Sequence, residues 1–168
     1  MNLSKVERLI LINQFTILEK LNPEEHSYEL NKEILVNGYK HNYGEIFECL
    51  HDEVSEEVSQ EVWDILQMYR SLNFSYRNLE DKGDIDETSL KFRGFDGNNE
   101  TNHMVYARFV LHDLDRYKEL WNDEKYPDYN THSPRIGKYR RMLSVWQQVS
   151  ERYNNDLSID EIKSILNA

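Results

Sequence analysis

The sequence predicts an all-α fold, a multi-helix bundle around one long central helix with little or no sheet. Three observations predict it. Apolar residues recur at three- and four-residue steps along most of the chain. Ser-x-x-Glu capping boxes open the first and last apolar runs, and Gly and Pro stand mostly between the runs. No convincing alternating strand pattern appears.

The elements follow in order. Ser4-x-x-Glu7 opens a helix running to about Leu21. Asn22-Pro23 reads as the start of a second, which Asn37-Gly38 ends. A short helix covers about Tyr43 to His51. A long one begins near Ser55, with Glu56 and Glu57 in its positive first turn, and reaches about Glu80. Lys82-Gly83-Asp84 breaks it, and the chain to Asn98 is irregular, with Lys91-Phe92-Arg93 as a short extended piece. Further helices are expected over about Asn99 to Trp121 and, after a Tyr126–Ser133 loop marked by Pro127, from Ser133-Pro134 to about Tyr153. Ser158-x-x-Glu161 opens the last, to Leu166. One helical domain over 1–168 is expected, with 81–98 as the one plausible internal junction.

Composition bounds the rest. A chain of 168 residues, 39% hydrophobic and 30% charged, buries enough surface to fold without disulfides. Its single cysteine, Cys49, sits among Ile46, Phe47 and Leu50 and reads as a small buried hydrophobe. No apolar run is long enough to cross a bilayer, and the N-terminus lacks a secretory signal pattern, so the expected location is the cytoplasm. A net charge of −11 disfavours broad nucleic-acid binding.

Two features point to self-association. Val58, Val62, Ile65, Tyr69, Leu72, Tyr76 and Leu79 form an a/d seam three heptads long. The helix carrying it, about 38 Å long, spans a domain whose radius of gyration is near 15 Å, or reaches past it. The first helix carries two stripes, Val6, Ile10, Ile17 and Leu21 against Leu11, Phe15 and Leu18, with Glu7 and Gln14 between. Packing inside one bundle accounts for both features; a homodimer that buries the second stripe is the other reading, and the expected one.

Candidate chemistry is sparse. The dipeptides His51-Asp52 and His112-Asp113 are of the types that helical hydrolases use to hold divalent metals, but adjacent helical residues point about 100° apart, so each pair needs help from other helices. Surface or capping histidines are the plainer reading, and no metal site is assigned. Asp81-x-x-Asp84-x-Asp86 and Asp96-x-Asn98-x-Glu100 lack the ligand pattern of calcium loops and read as solvated loop acids. The basic segment Arg135-x-x-Lys138-Tyr139-Arg140-Arg141 begins at a helix N-terminus, where free amides favour anions. It would hold a phosphate or nucleotide, with Tyr139 stacking on a base, or else pair with neighbouring acids. Gly-rich phosphate loops, CxxC pairs, HExxH and GxSxG are absent, and no cofactor is implied.

Several segments carry a resemblance. They are Arg8-Leu9-Ile10-Leu11-x-Asn13-Gln14, Met68-Tyr69, Asn78-Leu79, Gly94-Phe95-Asp96, Arg108-Phe109, Arg116-Tyr117, Lys138-Tyr139-x-Arg141-Met142-Leu143-x-Val145-Trp146, Leu157-Ser158, Glu161-Ile162 and Ile165-x-Asn167-Ala168. Together they resemble the YfbU family, small bacterial proteins of unassigned function, over the whole chain. The resemblance implies a helical cytoplasmic protein and no particular activity. The matching polar residues Arg8, Asn13, Gln14, Asp96, Arg108, Arg116, Lys138 and Arg141 become the binding candidates. Their structural alternative is buried hydrogen bonding between helices, a role that suits Asn13 and Gln14. The functional expectation is a non-enzymatic regulatory or interaction module acting as a homodimer, with a further protein partner open and membranes excluded. The alternatives are a His/Asp metal hydrolase and a nucleotide or nucleic-acid binder through 135–141.

Overall fold

A computed structural model describes residues 1–121, 128–149 and 155–168. Its helices are α1 (Lys5–Leu21), α2 (Ser27–Asn37), α3 (Tyr43–Ile46), α4 (Glu56–Asn78), α5 (Thr101–Arg108), α6 (Ile136–Val149) and α7 (Ile159–Leu166). Among the described residues there is no strand, only one bridge between Phe95 and Asn130, so the fold is all-α. No described helix is long and apolar enough to cross a membrane. The chain gathers into two compact units, Met1–Glu53 and Val54–Ala168.

In the first unit, α1 lies along α2. Ser4 Oγ accepts the Glu7 N–H and Glu7 Oε2 accepts the Ser4 N–H, closing the expected capping box. Leu11, Ile12 and Phe15 of α1 pack with Leu3 and Ile46 against buried Ile34, Leu35 and Tyr43. Lys32 and Glu19 join the two helices at 2.6 Å. Helix α2 starts four residues later than Pro23 suggests, because Asn22 to Glu25 form a turn and Glu25 Oε1 accepts the Ser27 N–H. It ends at Gly38, whose φ of 70° is left-handed. There Arg8 Nη1 donates to the Leu35 carbonyl at 2.9 Å, and a Cβ on Gly38 would meet that same nitrogen at 2.7 Å. Helix α3 stops at Ile46, and Cys49 beyond it is exposed, contrary to the buried hydrophobe expected.

The second unit is built around α4, which touches α5, α6 and α7. Ser55 caps it by accepting the Val58 N–H. Val62, Ile65, Tyr69, Leu72 and Tyr76 of the heptad seam are buried, and Val58 and Leu79 are half-buried. Leu66, Gln67, Met68, Ser71 and Ser75 are buried on its other sides as well. The seam is therefore core of this unit, and the expectation that it meets a second subunit is corrected.

The stretch 81–98 lies inside the second unit. Leu90, Phe92 and Phe95 belong to its core, so it is no junction. Lys91-Phe92-Arg93 forms no strand. Phe95 instead exchanges backbone hydrogen bonds of 2.9 Å with Tyr129 and Thr131. Gly94 makes this possible: its φ is 94°, and a Cβ there would stand 1.9 Å from the Tyr129 carbonyl oxygen.

The helix expected over Asn99 to Trp121 is interrupted. After α5 a π-turn spans Phe109–Asp113, and Asp115 and Tyr117 adopt positive φ. A left-handed Tyr costs on the order of 1 kcal/mol. Burial offsets that cost, because the Tyr117 ring lies beneath the Arg70 guanidinium at 4.1 Å and its hydroxyl meets buried Gln67 at 3.3 Å. Helix α6 is described to Val149, and residues 150–153 of the expected helix lie outside the described residues, as do 126 and 127 of the loop before it. Helix α7 carries the second capping box and buries Ile162 and Ile165.

Candidate functional site

Part of the basic segment of α6 is engaged within the fold. Glu100 Oε1 accepts the N–H groups of Arg135 and Ile136, each at 2.8 Å, while its Oε2 accepts the Asp96 N–H at 2.9 Å. This buried carboxylate thus occupies the amide cluster at the start of α6 that would otherwise receive an external anion. Tyr139 is buried and donates to the Gly94 carbonyl at 2.9 Å, so it offers no face to a base. Burial pushes its hydroxyl pKa up, and that of Tyr69 beside it. Arg140 forms a two-point pair with Glu61 at 2.7 and 3.0 Å. Arg140 thus pairs with a neighbouring acid, the second of the two readings of this segment. Lys138 and Arg141 are exposed, and Arg141 Nη1 donates to the Gly137 carbonyl.

Glu61 also lies 3.0 Å from His103 Nε2. The Arg140 guanidinium, helped by His103 and opposed by partial burial, holds the Glu61 carboxyl below the usual range. The His103 ring rests against Phe95 at 5.4 Å. The three polar groups bridge α4, α5 and α6, joining the elements around the core.

Asp96 is buried, and Asn99 Nδ2 at 2.5 Å and the Asn98 N–H at 3.1 Å hold its carboxyl below the usual range. Contrary to the solvated loop acids expected, Asp96 and Glu100 are both buried and fasten the start of α5 and α6. The Glu100 role was hidden because its partners are 35 and 36 residues away.

The remaining candidates do not converge on one site. Arg8 closes α2 in the first unit, while Arg108 and Arg116 are exposed in the second. His51 and Asp52 are exposed in the first unit; His112 and Asp113 are exposed in the second, with the His112 ring against Trp121 and Tyr129. Among the described residues, nowhere do three His, Cys, Asp or Glu side chains gather as metal ligands would.

Asn13 and Gln14 are exposed, which corrects the buried-amide reading. They share the outer face of α1 with Val6, Leu9, Ile10, Ile17, Leu18 and Leu21, apolar side chains 39–76% exposed. At 100° per residue, Val6, Ile10, Ile17 and Leu21 fall within about 60° of one another, roughly opposite the packed Leu11, Ile12 and Phe15. None of the seventeen residues of α1 is fully buried. This face is a row of exposed apolar side chains along one side of a helix.

The family model for the YfbU domain matches residues 1–168. The chain belongs to the YfbU family. A UPF0304 protein of the archaeon Methanocaldococcus jannaschii is 39% identical over 171 aligned positions, which cover 99% of each chain. This relative is archaeal, whereas the resemblance implied bacterial proteins. The family is one of uncharacterised proteins.

Proposed function

We propose that this YfbU-family chain is a non-enzymatic regulatory or interaction module of the cytoplasm that works as a homodimer. One observation carries the reading: α1 leaves an apolar stripe outside while its opposite side packs on α2. Six large side chains, 39–76% exposed, offer on the order of 600 Å² of apolar surface, against the roughly 800 Å² that each partner contributes to a standard interface. With the α4 seam buried, the outer stripe of α1 is the apolar surface this reading uses. The polar groups of the second unit support the non-enzymatic part, because Glu61, Asp96, Glu100, Tyr139 and Arg140 are all engaged in holding its elements together.

Sedimentation equilibrium of the 168-residue chain tests this. The expected result is a dimer at micromolar concentration, converted to monomer by Ile10→Lys with Ile17→Lys while the helical circular dichroism persists. A wild-type monomer at high concentration overturns the reading.

A further inference from the structure

Resting on that homodimer, we infer that two α1 helices pair antiparallel, about a two-fold axis at the midpoint between Asn13 and Gln14. The stripe is nearly its own mirror along the helix. Val6 and Leu21, Leu9 and Leu18, and Ile10 and Ile17 stand at equal distances from that midpoint, and each pair is apolar with apolar. Asn13 and Gln14, both amides, flank the midpoint itself. All eight side chains are exposed.

Such a sequence suits a second copy of itself better than an unrelated partner. In a two-fold pair the same patch must complement itself. Turning one helix end for end about the midpoint brings residues equidistant from it to the same height. Ile10 then faces the partner's Ile17, and Val6 faces the partner's Leu21. Near the axis, Asn13 lies beside the partner's Asn13 and Gln14 beside the partner's Gln14. A carboxamide carries both donor and acceptor, so two like amides satisfy each other. A polar pair within an apolar seam fixes register, because any slip sets an amide against an aliphatic side chain. The antiparallel arrangement also sets the positive N-terminal end of one helix dipole beside the negative C-terminal end of the other, which a parallel pair does not.

Cross-linking of the whole chain tests the register. Cys49 is exposed, so Cys49→Ser serves as background. Ile10→Cys and Ile17→Cys chains are each purified alone and also co-expressed as a mixture under two tags. Mild oxidation is followed by non-reducing electrophoresis, with circular dichroism confirming the helical fold. In the antiparallel pair each cysteine stands about 10 Å along the axis from its own copy, beyond disulfide reach, but level with the other kind. The mixture is expected to form at least tenfold more covalent dimer than either chain alone. Self-linking of Ile10→Cys as efficient as the mixture overturns the inference in favour of a parallel pair. A sedimenting dimer in which no combination links overturns it too, but leaves the homodimer standing on another surface. A monomer by sedimentation removes both.

Discussion

Helices α1 and α4 carry the same three-and-four spacing of apolar residues, yet α4 fully buries ten residues and α1 none. The contrast extends to their units. Residues 1–53 contain three buried hydrophobic residues, whereas the described residues of 54–168 contain twenty-three, far more than twice the length would bring. A short segment has too much surface for its volume to hide its apolar side chains by itself. Periodicity therefore fixes that a helix has an apolar face, and the supply of neighbouring elements fixes whether that face is covered.

The strongest test of this contrast is truncation in each stripe. Leu72→Ala, in the α4 core, is expected to cost about 3–4 kcal/mol in urea unfolding, through lost transfer energy and a residual cavity. A cost below ~1 kcal/mol would mean that α4 is not the hub it appears from its burial. Gly94→Ala comes next, at about 3 kcal/mol, because its Cβ meets Tyr129 backbone and not a movable side chain. Amide exchange at Phe95 and Thr131 is expected to accelerate in that variant; unchanged exchange would show that the loop absorbs the methyl group.

In the first unit the expected effects are smaller. Arg8→Met removes the cation that closes α2 and is expected to cost about 1–2 kcal/mol, read as faster amide exchange over residues 34–39. Equal acceleration in the second unit would deny that the loss is local. Smallest is Glu61→Gln, at about 1 kcal/mol near neutral pH. The folded carboxyl has the lower pKa, so the unfolded chain binds the extra proton. The contribution of Glu61 is thus complete above the ordinary glutamate range and disappears as pH falls through the lowered value. Wild type and variant are expected to converge in stability on acidification; a gap constant down to pH 3 would disprove the pairing.

Much of the fold was legible because its signals are local. Ser4 and Ser158 each meet the glutamate three residues on, and Ser55 caps α4, so those helix starts match their expected places. The break after α5 was not legible. It depends on where the Tyr117 ring finds Arg70 and Gln67, some fifty residues back, and nothing near Tyr117 announces it. The seam of α4 and the two stripes of α1 are legible as patterns, but which of them the fold covers is not: the seam is buried and the outer stripe of α1 is exposed. Val62 and Ile17 sit in equally periodic surroundings, and only burial separates them. Glu100 escaped notice for a related reason: an acid among loop acids looks solvated until the start of α6 is laid over it.

The Leu157 N–H donates to the Ser75 hydroxyl at 3.0 Å across eighty-two residues, and Leu157, Ile162 and Ile165 complete the core around α4. During synthesis those side chains leave the ribosome long after Glu53. The first unit can take shape early, whereas α4 waits with its widest greasy surface open to the crowded cell until translation has delivered them. Chaperone demand is therefore expected to peak midway through the message, when residues 56–78 have emerged and their lid has not.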